Sequence, residues 1–121
     1  MVKRNKYGAV KTVINGIKFD SKAEAEYYLY LLEKIDSGAD LELVELQPKV
    51  YLTETRILYK PDFLIREGDS VYYVDIKGMT TPVFNIKARL WKNYGAGELR
   101  LIRKKGRGWD TFKTIYTVGN K

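Results

Sequence analysis

The run Val71-Tyr72-Tyr73-Val74-Asp75-Ile76-Lys77 sets an acid and a lysine two residues apart in strand-like sequence. Side chains of an extended chain alternate between faces. Tyr72, Val74 and Ile76 therefore point one way, and Val71, Tyr73, Asp75 and Lys77 the other. Charge at the end of an otherwise apolar strand is expensive to bury. Either the pair has a chemical use, or this is an edge strand whose wet face carries an ordinary ion pair. A second acid, Asp62, opens the apolar run Asp62-Phe63-Leu64-Ile65 after Tyr59-Lys60-Pro61. The short Gly68-Asp69 turn joins the two runs, and antiparallel neighbours so joined can bring Asp62 close to Asp75. Pro-Asp is also ordinary turn chemistry. A third acid, Glu24, lies in a helix-like segment. On a wheel of about 100° per residue, Tyr28, Leu31 and Ile35 fall within about 40° of Glu24. Lys22, Glu26 and Glu33 fall opposite, on the solvent side. Glu24 thus extends a buried stripe, or else serves as the acid of a capping box begun by Ser21.

The chain has no cysteine and no histidine. Disulfides, Cys/His zinc sites, a His general base, a Cys nucleophile and a Ser-His-Asp triad are all excluded. Any catalysis must use carboxylates, lysine, tyrosine or a hard metal ion held by oxygen. The 121 residues are 45% hydrophobic and 31% charged, enough apolar material for a core. The formal net charge is +7. Residues 1–19 carry five positive charges and no negative one; residues 20–54 carry three positive and nine negative. Residues 55–81 balance at four each, and residues 82–121 carry ten positive and two negative. Basic ends suit a polyanionic partner, because clustered Lys and Arg release counterions from a phosphate backbone; they also suit plain solubility. No apolar run reaches the roughly 20 residues that span a bilayer. The start, Met-Val-Lys-Arg-Asn-Lys, has no apolar segment behind it, so a cytoplasmic protein without membrane contact is expected.

The elements that must position these residues follow from turn and cap signals. Asn15-Gly16 between apolar flanks predicts a hairpin over 10–19. Ser21 opens a helix over 21–36, with Gly38 at its stop. Residues 41–46 read as a strand ended by Pro48, and 49–58 as continuing extended chain. Strands are expected over 62–66 and 71–77. Pro82 opens a second helix over 82–94, closed by Gly95 and Gly97. A strand over 98–104, a basic loop at Gly106 and Gly108, and a last strand or tail over 112–118 complete the order. This is an α/β fold on a mixed sheet, a single domain over 1–121 with 1–19 a basic arm and hairpin. On the second helix Val83, Ile86, Leu90 and Tyr94 form the expected apolar stripe, with Lys87 inside it; Lys87 either reaches the site or a phosphate, or snorkels past the stripe's edge.

Glu24, Pro61-Asp62 and Asp75-Ile76-Lys77, in this order and on these elements, resemble the PD-(D/E)XK nuclease superfamily. The stretches Phe19 to Glu24, Leu46-Gln47-Pro48, Pro61-Asp62-Phe63 and Val74 to Gly78 look most similar to small phage endonucleases related to Holliday-junction resolvases. The resemblance covers roughly residues 19–94. It implies a restriction-endonuclease-like core: a helix, three strands, a helix and a strand, with a mixed sheet flanked by helices and an N-terminal β-hairpin. It also implies a Mg2+- or Mn2+-dependent DNA endonuclease acting in a bacterial cytoplasm or a phage's host. Asp62 and Asp75 would be direct ligands, Glu24 a ligand directly or through water, and the Ile76 carbonyl would complete the site. Lys77 would orient or deprotonate the attacking water; beside two acids its ammonium form is favoured, which suits an electrostatic role. Gln47 would help position a ligand. Symmetric cutting of a four-way junction implies a C2 homodimer.

For DNA contact, Arg103, Lys104, Lys105 and Arg107 beside Gly106 and Gly108 are the strongest candidates; Trp109 either stacks on a base or, as tryptophan more often does, anchors the core. Lys3, Arg4, Lys6 and Lys11 form a second basic set. No segment reads as a recognition helix, so structure-selective binding of branched DNA is expected rather than sequence readout. Two other readings remain open. One is a non-catalytic basic nucleic-acid-binding module, and the other is an interaction protein whose acids form ordinary salt bridges.

Overall fold

Asn15 and Gly16 both take left-handed backbone, with φ of 53° and 78°. A type I′ turn requires this geometry. It folds a strand over Val10–Ile14 back onto one over Ile17–Phe19, as the sequence predicts. A computed structural model of the chain describes residues 3–4, 10–53 and 57–118. The chain divides into two compact units, Met1–Asp40 and Leu41–Lys121.

The first unit contains β1 (Lys3–Arg4), β2 (Val10–Ile14), β3 (Ile17–Phe19) and α1 (Lys22–Asp36). β1 pairs antiparallel with β2, so part of the expected arm is the edge of a three-stranded sheet. Lys6 lies outside the described residues. Ser21 caps α1 as expected, its Oγ accepting the Glu24 N–H at 3.1 Å. Gly38, at φ 100°, adopts the left-handed turn that ends it. The buried face of α1 is Glu24, Ala25, Tyr27, Tyr28 and Leu31. The Tyr28 ring meets that of buried Phe19 at 5.1 Å.

The second unit contains β4 (Leu41–Leu46), β5 (Val50–Tyr51), β6 (Leu58–Tyr59), β7 (Phe63–Glu67), β8 (Ser70–Ile76), α2 (Pro82–Tyr94), β9 (Leu99–Lys105) and β10 (Gly108–Ile115). Five strands form one sheet in the order β10-β9-β8-β7-β4. Neighbours are antiparallel except β8 and β9, which run parallel with α2 as their crossover. The edge-strand alternative for Val71–Lys77 is thereby excluded, since β8 is the middle strand. The expected continuous extension over 49–58 is instead a separate short pair, β5 with β6. The expected basic loop is a hairpin: Gly106 and Arg107 alone form the turn, and Trp109 already belongs to β10.

The stripe expected on α2 is also displaced. Val83, Ile86 and Tyr94 are largely exposed, and Phe84 and Trp91 are the buried residues. Apolar side chains cover more than half of this helix's circumference. Its largest rings, lying roughly 80–100° from Val83 on the wheel, take the core side because they bury the most area. Phe84 and Trp91 join Val50, Leu52, Tyr59, Leu99, Leu101 and Ile115 in one cluster. Trp91 Nε1 donates to the Gly97 carbonyl at 2.6 Å, and Gly95 lies flat against the Trp91 ring.

A methyl group at position 95 would collide with a rigid, fully buried indole. Gly95→Ala is expected to lower the unfolding free energy by about 1–3 kcal/mol, read from the urea midpoint; an unchanged midpoint would show that the Trp91 packing is not as described.

Candidate functional site

The backbone of Asp62, at the mouth of β7, is held from both sides. Its N–H donates to the Val74 carbonyl and its own carbonyl accepts from the Gln47 N–H, each at 2.9 Å. Its side chain then acts as a strand partner, Oδ2 accepting the Ile76 N–H at 2.7 Å. Asp62 is thus bound by backbone and side chain to the strand that carries Asp75. Gln47 serves here through its backbone. Its φ of 49° is left-handed, a conformation that costs a residue with a Cβ roughly 1–2 kcal/mol.

Asp75 projects from the central strand and is only 3% exposed. Two donors take different oxygens of its carboxylate. Oδ2 accepts a short hydrogen bond from the Tyr59 hydroxyl. Oδ1 lies 3.6 Å from Lys77 Nζ. The Lys77 ammonium also rests 4.4 Å from the centre of the Phe84 ring, a cation–π contact that limits where it can move. The neighbour Lys77 N–H is fixed to the Ile102 carbonyl of β9 at 2.8 Å. The expected alternation along β8 holds: Tyr73 meets Trp91 and Lys77 meets Phe84, both on α2.

The Tyr59 phenol titrates well above the usual tyrosine range. Burial is the largest cause, followed by the charge of Asp75 and the hydrogen bond to it, and then the charge of Asp62. Both carboxylates therefore bear on one hydroxyl, which keeps its proton and acts as a donor. In the sequence the one signal for Tyr59 is its position three residues before Asp62.

The structure thus assembles Asp62, Asp75, Ile76 and Lys77 in the second unit. Glu24 belongs to the first, is 8% exposed on the buried face of α1, and accepts a hydrogen bond from Ser21 Oγ at its Oε2, 3.2 Å away. Among the described residues no three Asp, Glu, His or Cys side chains are grouped to hold a metal ion. Asp62 and Asp75 are the two carboxylates of this unit that could hold a hard cation such as Mg2+ or Mn2+. Mg2+ is commonly held by one or two carboxylates, with water and substrate phosphate filling the other positions.

Lys87 is half-buried at the border between the core side of α2 and its exposed stripe. Arg103, Lys104, Lys105 and Arg107 are exposed on the β9–β10 hairpin. Arg103 pairs with Asp110 at 3.2 Å, and Lys104 lies 5.8 Å from the ring of its cross-strand neighbour Trp109. Trp109 is half-buried, with that lysine over its ring. No helix among the described residues is long and apolar enough to cross a membrane.

A family model described as "Protein of unknown function (DUF1064)" matches residues 4–106, and the chain belongs to that family. A search of curated proteins returns no match.

Because the folded protein holds the Tyr59 proton more tightly than the unfolded chain, where tyrosine titrates near 10.0, its stabilisation is complete below that pH. It is lost as pH climbs above it, by up to ~1.4 kcal/mol per pH unit for one such group. Urea midpoints should fall between about pH 9 and about pH 11, and Tyr59→Phe should flatten that fall. Tyr72, shifted the same way by burial and by Glu67, retains its share. An identical slope in the variant would contradict the burial of the phenol on Asp75.

Proposed function

We propose that this DUF1064 protein is a metal-dependent DNA endonuclease of the PD-(D/E)XK kind, acting on branched DNA such as four-way junctions. The observation that carries this reading is the buried Asp75 on a central strand, with Asp62 and Lys77 held beside it. A structural ion pair has little reason to occupy the middle of a sheet, because a buried pair seldom stabilises more than apolar residues of the same size.

In this reading Asp62 and Asp75 would hold the cation, with the Ile76 carbonyl as a third oxygen. A divalent cation bound there supplies charge relief on the phosphate and a water made more acidic. Lys77, tethered between Asp75 and Phe84, presents a positive charge to the phosphate oxygen where negative charge develops. The strands fix these groups before substrate arrives, so little reorganisation is needed. Lys105 and Arg107 at the tip of the hairpin, with Arg103, Lys104 and Lys87, would neutralise backbone phosphates. A C2 dimer would set two such sites on the two strands of a junction. A non-catalytic nucleic-acid-binding module explains the charge equally well but leaves Asp75 without a purpose.

Incubation with branched and linear DNA should show cutting of the branched form with Mg2+ or Mn2+ and none with chelator. Asp75→Asn should abolish cutting while DNA binding persists, and Lys77→Ala should slow it by about 10²–10³-fold. Arg107→Ala should weaken binding to all sequences alike and reduce the salt slope by about one. Metal-independent binding without cutting, unchanged in Asp75→Asn, would point to the binding module instead.

A further inference from the structure

Tyr59 does more than fill the core. Its ring stands edge-on to Trp91 at 5.7 Å and tilted to Phe84 at 6.1 Å, and its backbone pairs with Val50 of β5. The ring is nearly fully buried, in the same cluster that anchors α2. Close-packed cores do not let such a ring shift without moving its neighbours. The hydroxyl at its end is therefore a fixed donor. It claims Oδ2 of Asp75 while Lys77 claims Oδ1, so the carboxylate cannot rotate about its own axis without breaking one of the two. A neutral phenol restrains the carboxylate and leaves its charge in place.

We infer that Tyr59 is a positioning residue: its hydroxyl holds Asp75 in the one orientation that serves a divalent cation, whether or not that cation is bound. This deepens the nuclease reading and rests on it for the presence of the cation. Groups that hydrogen-bond to metal ligands from behind set ligand orientation, and their loss weakens metal affinity by about 10–100-fold. Phe84, touching both the Tyr59 ring and the Lys77 ammonium, links the two donors through α2.

Calorimetric titration with Mn2+ alone, without DNA, tests this directly. Wild-type protein and three variants are compared: Tyr59→Phe, which keeps the ring; Asp75→Asn; and Tyr72→Phe. The Tyr72 variant loses a hydroxyl bonded to Glu67 at 2.9 Å, away from Asp62 and Asp75. Tyr59→Phe should bind Mn2+ about 10-fold or more weakly, Asp75→Asn should not bind it, and Tyr72→Phe should match the wild type. Wild-type affinity in a folded Tyr59→Phe protein overturns the inference and leaves the nuclease reading standing. A wild type that binds no Mn2+ overturns the reading and the inference together. Thermal melts establish that each variant is folded. If Tyr59→Phe is not, proton NMR of the wild type decides. A hydroxyl proton showing contacts to the Trp91 and Phe84 rings should stay protected from exchange when Mg2+ is added, and its loss to solvent exchange would overturn the inference.

Discussion

The second unit is organised around the burial of one carboxylate. Asp75 lies in the middle strand of a five-stranded sheet, where a lone charge would be prohibitive. Its neighbours offset that cost through specific contacts. Tyr59 donates to one oxygen and Lys77 pairs with the other, while Asp62 secures the end of the same strand through the Ile76 N–H. Breaking such a set by removing one member leaves a buried group unpaired, which costs more than the intact set contributes. The arrangement is therefore weak as a device for stability and informative as a site.

The frame that keeps these groups in place is apolar. Parallel pairing of β8 with β9 demands a crossover, and α2 supplies it. Trp91 then anchors the helix, with its indole N–H on the Gly97 carbonyl and its ring against Tyr59, Tyr73 and Gly95. The same aromatic cluster thus holds the helix, the phenol that bonds Asp75 and, through Phe84, the ammonium that pairs with it. Core and site are mechanically one structure, and a packing defect at Trp91 would be felt at Asp75.

Much of this was legible in the residues. Asn15-Gly16, Ser21, Gly38 and Pro82 are local signals whose physics acts within a few residues, and each marks the turn, cap or helix start it predicts. Period-two alternation placed Asp75 and Lys77 on one side of β8. What local rules could not supply was competition between distant parts. The stripe Val83, Ile86, Leu90 and Tyr94 has good helical spacing, yet Phe84 and Trp91 took the core because the sheet offered a place for large rings. The hairpin at Gly106 hid behind its glycines and charges. For Glu24, one carboxylate suits two roles, and local spacing alone does not choose between them; the bond from Ser21 ties it to the start of α1. Tyr59 was invisible because a tyrosine on a strand is ordinary until its hydroxyl is seen on a buried acid.

The central claim is that Asp62 and Asp75 form the seat of a divalent cation. A crystal grown with Mn2+ and measured at a wavelength where manganese scatters anomalously tests it most directly. The account predicts one strong anomalous peak beside the Asp62 and Asp75 carboxylates, with Tyr59 and Lys77 still on Asp75. Well-ordered crystals that show no peak there, or manganese bound only elsewhere on the surface, would contradict it.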